Sequence, residues 1–262
     1  MTSGPPVSAG WFAPPGPRVL AHRGLAVEAP ENTMLAFALA VSAGATYVET
    51  DVHATRDGIA VISHDPDLKR LAGRDQRLLD LDLADVKTVR LDGEHEIPTL
   101  DEALDAFPET RFNVDLKSDE AVAPAVRSIK RVRATDRVLV TSFDHRRRLR
   151  AVAALPGVAT SASSRGIVAA VAAGLLPVTR LRRSLIRRAL TGCGAVQVPE
   201  RKGPVRIVTA TRVAELAELG VETHVWTVNE PADMARLLSL GVHGIVSDRA
   251  DLALAEVRHD LG

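Results

Sequence analysis

Between Tyr47 and Asp65 the chain reads Tyr-Val-Glu-Thr-Asp-Val-His-Ala-Thr-Arg-Asp-Gly-Ile-Ala-Val-Ile-Ser-His-Asp. Its first half alternates aromatic and β-branched residues with polar ones, which predicts a strand whose alternate side chains line one face. Glu49, Asp51 and His53 therefore point the same way. Two carboxylates so close on a buried strand repel each other and lose hydration. Their expected counterpart is a cation that prefers oxygen ligands, such as Mg²⁺ or Ca²⁺.

The second half of this stretch returns a histidine to the carboxylates. Arg56-Asp57-Gly58 is a turn signal, and the apolar run after it ends at His64 and Asp65. Considered alone, the stretch also fits an edge hairpin whose charged side chains lie in water. A segment further upstream favours a functional site instead.

That upstream segment is Arg18–Gly24, Arg-Val-Leu-Ala-His-Arg-Gly. A short apolar strand here ends in His22, Arg23 and a glycine. Together these residues offer a proton donor or acceptor, a guanidinium that can bind a phosphate or carboxylate, and room for close approach of a ligand. The tripeptide alone is a weak signal. Combined with Glu31-Asn32-Thr33 and the Tyr47–Asp65 stretch, it is a strong one.

This combination resembles the glycerophosphodiester phosphodiesterase family. The resemblance runs from residue 18 to residue 250 and so covers nearly the whole chain. The matching motifs are His22-Arg23-Gly24, Pro30-Glu31-Asn32-Thr33, Glu49-Thr50-Asp51-Val52, Asp57-Gly58, His64-Asp65, Ile97-Pro98-Thr99-Leu100, Asp115-Leu116-Lys117, Trp226-Thr227-Val228-Asn229 and Ser247-Asp248.

The resemblance implies a metal-dependent hydrolase that cleaves glycerophosphodiesters to sn-glycerol 3-phosphate and an alcohol. It also implies that His22 and His64 are the general acid and base, and that the nucleophile is water or a glycerol hydroxyl of the substrate. Histidine suits both roles because its unperturbed pKa lies near neutrality, and the sequence leaves open which histidine takes which role. The remaining predicted site residues are Glu49, Asp51 and Asp115 for a divalent cation (Mg²⁺ or Ca²⁺), and Arg23, Lys117 and Trp226 for the substrate or its phosphate.

Asp115 is a departure from the family pattern, which usually has glutamate as the acidic ligand on this strand. The position is anchored by Lys117, two residues later on the same strand face, and by Pro98-Thr99-Leu100 upstream. Aspartate is one methylene shorter, so either the backbone lies closer to the ion or a water molecule bridges the two. Hard cations accept mixed carboxylate and water ligands, Ca²⁺ with more freedom than Mg²⁺.

Length and composition indicate a single globular domain. The 262 residues fit one α/β barrel, a fold of about 250 residues. The 33 basic and 33 acidic residues cancel, so bulk charge favours neither nucleic acid nor an anionic surface. Cys193 is the only cysteine, which excludes an internal disulfide. The sequence does not indicate an oligomeric state.

Residues 1–17 are rich in Pro, Gly and Ser, and we interpret them as a flexible arm because such a composition buries too little apolar surface to offset its ordering entropy. Residues 18–262 then form the single barrel domain. The sequence shows neither a signal-peptide pattern nor a long apolar run, so the expected location is cytoplasmic.

Strands and helices alternate along this domain, which predicts a (β/α)₈ TIM-type barrel. The polar, irregular stretch between Asp65 and Glu96 is interpreted as a small insertion after the second strand. Asn113, Asp115 and Lys117 share one face of the third strand, at its carboxyl end, where barrel enzymes place their chemistry. The eight predicted strands begin near Arg18, Tyr47, Arg111, Val138, Val158, Ala195, Glu222 and His243.

Other polar residues have simpler interpretations beside a functional one. We expect His53 to be solvated or adjacent to the site, and His224 to be a satisfied barrel-core histidine. Trp226 either lines the pocket for the alcohol portion of the substrate or is core. Asp248 caps a turn in its simplest interpretation, and Glu31-Asn32 starts a helix or hydrogen-bonds near the site.

The segment Thr179–Leu190 carries five arginines interspersed with leucine and isoleucine. As a helix it has a cationic face and an apolar face, a composition that can lie on an anionic bilayer. The favoured interpretation is a barrel helix with a solvated arginine face, and the alternative is peripheral membrane contact.

The sequence therefore predicts an enzyme that acts on a small-molecule glycerophosphodiester. A lysophospholipase D-type activity on a lipid substrate is an alternative, because the rim loops that select the substrate are not defined by sequence. A non-enzymatic phosphodiester-binding barrel is a third possibility. Retention of both His22 and His64 argues against it.

Overall fold

A computed structural model of the chain describes residues 9–13 and 16–260. Within these residues eight parallel strands form the barrel, which confirms the predicted (β/α)₈ fold. The barrel strands are β1 (Arg18–His22), β2 (Tyr47–Ala54), β4 (Arg111–Leu116), β5 (Val138–Thr141), β6 (Ala159–Thr160), β7 (Ala195–Val198), β10 (Glu222–Val225) and β11 (Gly244–Ser247). Further short strands are β3 (Ala60–Ile62), β8 (Arg201–Lys202) and β9 (Val205–Arg206).

The barrel strands follow the spatial order β6-β5-β4-β2-β1-β11-β10-β7. A parallel bridge between Ser161 and Ala195 joins the two ends of this order, supported by a hydrogen bond of 2.9 Å from the Ala162 amide to the Ala195 carbonyl. β3 pairs antiparallel with β2 and completes the hairpin predicted around Arg56-Asp57-Gly58. The first barrel strand, β1, pairs in parallel with the last, β11, so their carboxyl ends lie side by side.

Side-chain alternation divides each strand between two environments. On β2, Val48 and Val52 pack outward into the core between sheet and helices, while Glu49 and Asp51 lie on the other face. The β2–β4 register places Asp51 opposite Asp115. The acidic residues of the two strands therefore meet inside the barrel, at the carboxyl ends of the strands.

Two of the flanking helices begin at threonine N-caps. Thr33 Oγ1 accepts a hydrogen bond from the Ala36 amide at 3.2 Å, and Thr99 forms a capping box with Glu102. None of the described helices is long and apolar enough to cross a membrane. The helices are α2 (Met34–Ser42), α5 (Leu100–Ala106), α6 (Val122–Arg131), α7 (His145–Ala154), α8 (Ser164–Ala173), α9 (Thr179–Ala189), α10 (Ala210–Glu218), α11 (Pro231–Ser239) and α12 (Ala250–Asp260).

The predicted insertion after the second strand is a compact unit. It contains α3 (Lys69–Ala72), a 3₁₀ turn at Leu78–Asp80 and α4 (Leu83–Val86). Its apolar side chains form their own small cluster, separate from the main core, which holds the insertion against the barrel rim. The cluster consists of Val61, Leu68, Leu78, Val86, Val89, Leu91 and Ile97.

The β8–β9 hairpin and α12 lie outside the sequence prediction. The β8–β9 hairpin is a two-residue pairing of exposed residues, too short to give a strand pattern in the sequence. α12 follows β11 and packs against β1 and α11. The Thr179–Leu190 segment forms α9, which packs against α8.

Part of the predicted flexible arm, residues 9–13, packs against the barrel, whereas residues 1–8 and 14–15 lie outside the described part of the chain. Residues Ala9–Phe12 form a short helix, α1, and the Trp11 side chain is fully buried. The Trp11 indole N–H donates to the Phe112 carbonyl at 3.1 Å, and its ring packs edge-on against Tyr47. Burial of the large Trp11 ring at the amino end of the barrel offsets the entropy cost of ordering this segment. The composition of the segment does not reveal this burial.

We predict that Trp11→Ala destabilises the protein by about 3–5 kcal/mol, because it leaves a cavity in the barrel interior. Urea unfolding followed by circular dichroism measures the change, with Val27→Ala, at an exposed site, as the control. Equal free energies of unfolding for Trp11→Ala and wild type would contradict a structural role for this segment.

Candidate active site

The candidate site is a cleft of about 200 Å³ at the carboxyl ends of the barrel strands. This is the end at which (β/α)₈ enzymes place their chemistry. The cleft brings together seven of the eight residues predicted from sequence around a common space, and the eighth, Trp226, forms part of its wall. The seven are His22, Arg23, Glu49, Asp51, His64, Asp115 and Lys117.

The end of β1 is shaped by an unusual backbone. Arg23 has a φ of 56° and Gly24 a φ of 88°, both in the left-handed region. A Cβ at Gly24 would lie 2.7 Å from the Ala36 carbonyl carbon, so this close packing against α2 requires glycine. The turn places the Arg23 guanidinium over the cleft, where its Nε lies 3.1 Å from Asp51 Oδ2.

Three buried carboxylates crowd the floor of the cleft beside one ammonium group. Lys117 Nζ lies 2.7 Å from both Asp51 Oδ1 and Asp115 Oδ2. Burial together with the Asp51 charge raises the pKa of Glu49 to about 8, and burial raises the pKa of Asp115. Burial also opposes ionisation of Asp51, but Lys117 and Arg23 outweigh it and hold its pKa below the usual value. The positive charge at the floor of the cleft therefore does not fully compensate the three carboxylates.

The carboxylates are not arranged as a ready metal cage. No group of three or more His, Cys, Asp or Glu side chains among the described residues is placed to hold an ion, because Lys117 lies between Asp51 and Asp115. The donor chemistry nevertheless fits a hard cation. All three donors are carboxylates, and Asp115 Oδ1 is buried without a hydrogen-bond partner.

Asn32 does more than begin a helix. Its side-chain amide donates to Asp51 Oδ2 at 3.1 Å, and its carbonyl oxygen accepts from the Thr50 hydroxyl at 2.8 Å. A left-handed backbone at Asn32, with φ of 58°, turns the side chain inward. Asn32 therefore fixes the orientation of the Asp51 carboxylate.

His22 is held by a residue for which the sequence suggested only a turn cap. Asp248, at the end of β11, accepts from His22 Nδ1 at 2.6 Å and is itself bound by Asn229 at 2.8 Å. The other ring nitrogen, Nε2, lies 3.8 Å from Glu49. Burial lowers the pKa of His22, but the Asp248 hydrogen bond and the Glu49 charge outweigh it and raise the pKa overall. Asp248 orients the ring and leaves Nε2 toward the cleft.

His64 is connected to Arg23 through the insertion. His64 Nδ1 is 2.8 Å from Asp65, and Asp65 accepts from Arg70 at 2.5 Å. The Arg70 guanidinium also donates to Glu31 at 2.6 Å, and Glu31 accepts from Arg23 at 3.0 Å. Arg70, from α3, is a site residue that the sequence prediction missed. The irregular insertion gives no periodicity from which its direction could be inferred.

Apolar side chains form one wall of the cleft. Trp226 lines it, and Phe143, which is 61% exposed, packs edge-on against Trp226 with ring centroids 6.0 Å apart.

The expected core role of His224 agrees with its position. It is fully buried and lies 2.9 Å from Glu222. His53 lies beside the site, 3.3 Å from the His64 carbonyl, and burial lowers its pKa.

A model of the Glycerophosphoryl diester phosphodiesterase family matches residues 22–252. The chain is 41% identical over 235 residues to a probable glycerophosphodiester phosphodiesterase 2 of Mycobacterium tuberculosis, covering 89% of this chain and 88% of that protein. It is 26% identical over 261 residues to lysophospholipase D GDPD1 of Rattus norvegicus, covering 88% and 83%. A solved Oleispira antarctica phosphodiesterase, in complex with the product sn-glycerol-3-phosphate, has a TM-score of 0.74 at 24% identity and covers 92% and 96%.

These matches show that the chain belongs to the glycerophosphoryl diester phosphodiesterase family. The resemblance seen in the sequence motifs is thereby confirmed. So is the prediction of an enzyme that hydrolyses phosphoric diesters.

We predict that Asp248→Asn lowers the pKa of His22, because it weakens a hydrogen bond that favours the imidazolium. The limb of the kcat/KM pH profile that reports His22 should move to lower pH, whether the histidine acts as acid or as base. The control is Asp251→Asn, which removes a carboxylate paired with Arg249 and should leave the profile unchanged. Coincident profiles for Asp248→Asn and wild type would exclude this role.

Proposed function

We propose that this protein hydrolyses glycerophosphodiesters to sn-glycerol 3-phosphate and an alcohol, with His22 and His64 as the acid–base pair. The observation that supports it best is the position of both histidines in one cleft with Arg23 and Lys117. The relative from Oleispira antarctica, whose fold this chain shares, binds sn-glycerol-3-phosphate. That ligand is the product expected of the proposed reaction.

The cationic side chains account for substrate binding. A phosphodiester carries one negative charge and gains more in the transition state, so catalysis depends on positioning and on positive charge at the non-bridging oxygens. Arg23 offers a planar guanidinium for bidentate contact and Lys117 a compact ammonium. Asn32, Glu31 and Asp51 fix the Arg23 guanidinium and its carboxylate partner before substrate arrives.

The histidines supply proton transfer. One deprotonates the nucleophile, which is water or a glycerol hydroxyl of the substrate, and the other protonates the leaving alkoxide. If the hydroxyl attacks, water opens the resulting cyclic phosphate in a second step. Each has one ring nitrogen bound to an aspartate, Asp248 for His22 and Asp65 for His64. The remaining nitrogen of each is then available to the reacting atoms.

We further propose that Glu49, Asp51 and Asp115 hold a divalent cation, Mg²⁺ or Ca²⁺. The raised pKa of Glu49 and the unpaired Asp115 Oδ1 support this proposal, since both indicate negative charge in excess of its local compensation. When bound, such an ion neutralises charge on the phosphoryl oxygens.

A lipid substrate is a second candidate. The relative from Rattus norvegicus is a lysophospholipase D, and the exposed Phe143 beside Trp226 gives this cleft an apolar edge at its mouth. An acyl-bearing glycerophosphodiester could leave its chain along that edge. The phosphodiester chemistry is the same for both substrates.

The activity test offers glycerophosphocholine, glycerophosphoethanolamine and lysophosphatidylcholine, each with Mg²⁺, Ca²⁺ or excess chelator. Release of glycerol 3-phosphate, or of lysophosphatidic acid from the lipid, is measured by mass spectrometry. We expect product only with metal. Full turnover after exhaustive chelation, with no metal in the protein, would refute metal dependence. No product from any substrate would refute the activity.

We predict that His22→Ala and His64→Ala each lower kcat on the order of 10²- to 10⁴-fold, the usual contribution of a positioned acid or base. The double variant should lose less than the product of the two effects, because both residues act in one reaction. Circular dichroism checks that the variants fold. Near-wild-type turnover in a folded variant would remove that histidine from the mechanism.

The Asp115 position gives a prediction that metal binding tests in addition to turnover. We expect Asp115→Asn to weaken metal binding and activity together, while Asp115→Glu keeps activity or changes the metal preference. Calorimetric titration with Mg²⁺ and Ca²⁺ measures binding, and metal-dependent stabilisation against heat gives an independent readout. Wild-type affinity and turnover in Asp115→Asn would leave Glu49 and Asp51 as the only ligands of this set.

A further inference from the structure

Charge is distributed unevenly along this neutral chain. Residues 145–199 hold ten of its 33 basic residues and none of its 33 acidic residues. This segment includes α7, α8 and α9, which contact one another in sequence order. The ten are Arg146, Arg147, Arg148, Arg150, Arg165, Arg180, Arg182, Arg183, Arg187 and Arg188.

Half of these arginines are already used inside the protein. Arg147 and Arg150 pair with Asp119, Arg148 is buried, and Arg182 and Arg183 pair with Glu215 and Glu218 of α10. The other guanidinium groups make no hydrogen bond or ion pair with described residues, and all are exposed. They belong to Arg146, Arg165, Arg180, Arg187 and Arg188.

These helices and the segments that connect them present apolar side chains to solvent. Of the eleven exposed large hydrophobic residues in the described part of the chain, seven lie between residues 143 and 185. Leu175 is 73% exposed and Val168 is 64% exposed, so neither side chain is packed against the barrel. The seven are Phe143, Leu149, Val168, Leu175, Val178, Leu181 and Leu185.

We propose that this surface, the α7–α9 face, docks the enzyme on an anionic phospholipid bilayer. Unpaired arginines are attracted to lipid phosphates, and exposed aliphatic side chains enter the boundary between headgroups and acyl chains. Charge alone would also suit a nucleic acid. The seven apolar side chains distinguish the two partners, because a nucleic-acid backbone offers them no apolar environment.

The α7–α9 face borders the candidate active site. Phe143 belongs to both, since it is exposed and lines the cleft, and Ser164 and Ile167 of α8 also line the cleft. Docking through this face therefore brings the apolar edge of the cleft toward the lipid. The proposal holds for a water-soluble or a lipid substrate, so it does not depend on the activity.

The test is co-sedimentation of the full-length protein with vesicles of phosphatidylcholine alone or of equimolar phosphatidylcholine and phosphatidylglycerol. We expect binding to the anionic vesicles at low salt and weaker binding at high salt, because salt screens the attraction. Arg180→Glu/Arg188→Glu should lower the partition coefficient on the order of 30-fold or more, at about 1 kcal/mol for each basic residue. Leu175→Ser/Val178→Ser should remove binding that persists at high salt.

The matched control is Arg74→Glu/Arg133→Glu, which makes the same charge change at exposed arginines outside the α7–α9 face. It should bind vesicles like wild type, and both arginine variants should keep wild-type turnover of glycerophosphocholine. Three outcomes would overturn the proposal. They are equal binding to neutral and anionic vesicles, equal loss in test and control variants, and retention by DNA without binding to vesicles.

Discussion

The ion pairs of Lys117 with Asp51 and Asp115 are the interaction on which the site depends. Three carboxylates are buried together at the rim of the barrel, and such a group is stable only with compensating positive charge. Lys117 and Arg23 supply part of it and leave the pKa of Glu49 raised. The raised pKa of Glu49 shows that these two side chains do not compensate the carboxylates fully, and this supports the proposed cation.

The insertion after the second strand extends this charge compensation to the second histidine. Arg70 bridges Asp65 and Glu31, so the elements that hold His64 and Arg23 share one guanidinium. Its bonds hold the pKa values of Asp65 and Glu31 below the usual range even though burial opposes this. Arg70 thereby couples the orientation of His64, the proposed acid–base residue, to that of Arg23, the proposed phosphate-binding residue. The small apolar cluster of the insertion keeps Arg70 in place.

The sequence predicts what depends on alternation and local signals. Apolar runs alternating with helices located the eight barrel strands, and period-two alternation placed Glu49 and Asp51 on one face of β2, and Asp115 and Lys117 on one face of the third barrel strand. Asp248 was missed because its partner, His22, lies 226 residues away and becomes a neighbour only when β11 pairs with β1. Trp11 was missed for a related reason, since its burial depends on a barrel end that no local composition describes. Local sequence patterns do not reveal contacts between distant residues that form only when the barrel closes.

The charged groups at the two ends of the barrel interior differ in how fully they are compensated. At the amino end, Arg18 pairs with Glu222 at 2.7 Å and lies over the rings of Trp11 and Tyr47. Burial opposes ionisation of Glu222, but Arg18 and His224 hold its pKa at about 2. Its charge is therefore fully compensated within the fold, unlike that of the carboxylates at the carboxyl end. A buried ion pair with both partners satisfied needs no ligand, so the amino end stabilises the fold. The carboxylates at the carboxyl end are not fully compensated, which supports the proposed ligand site there.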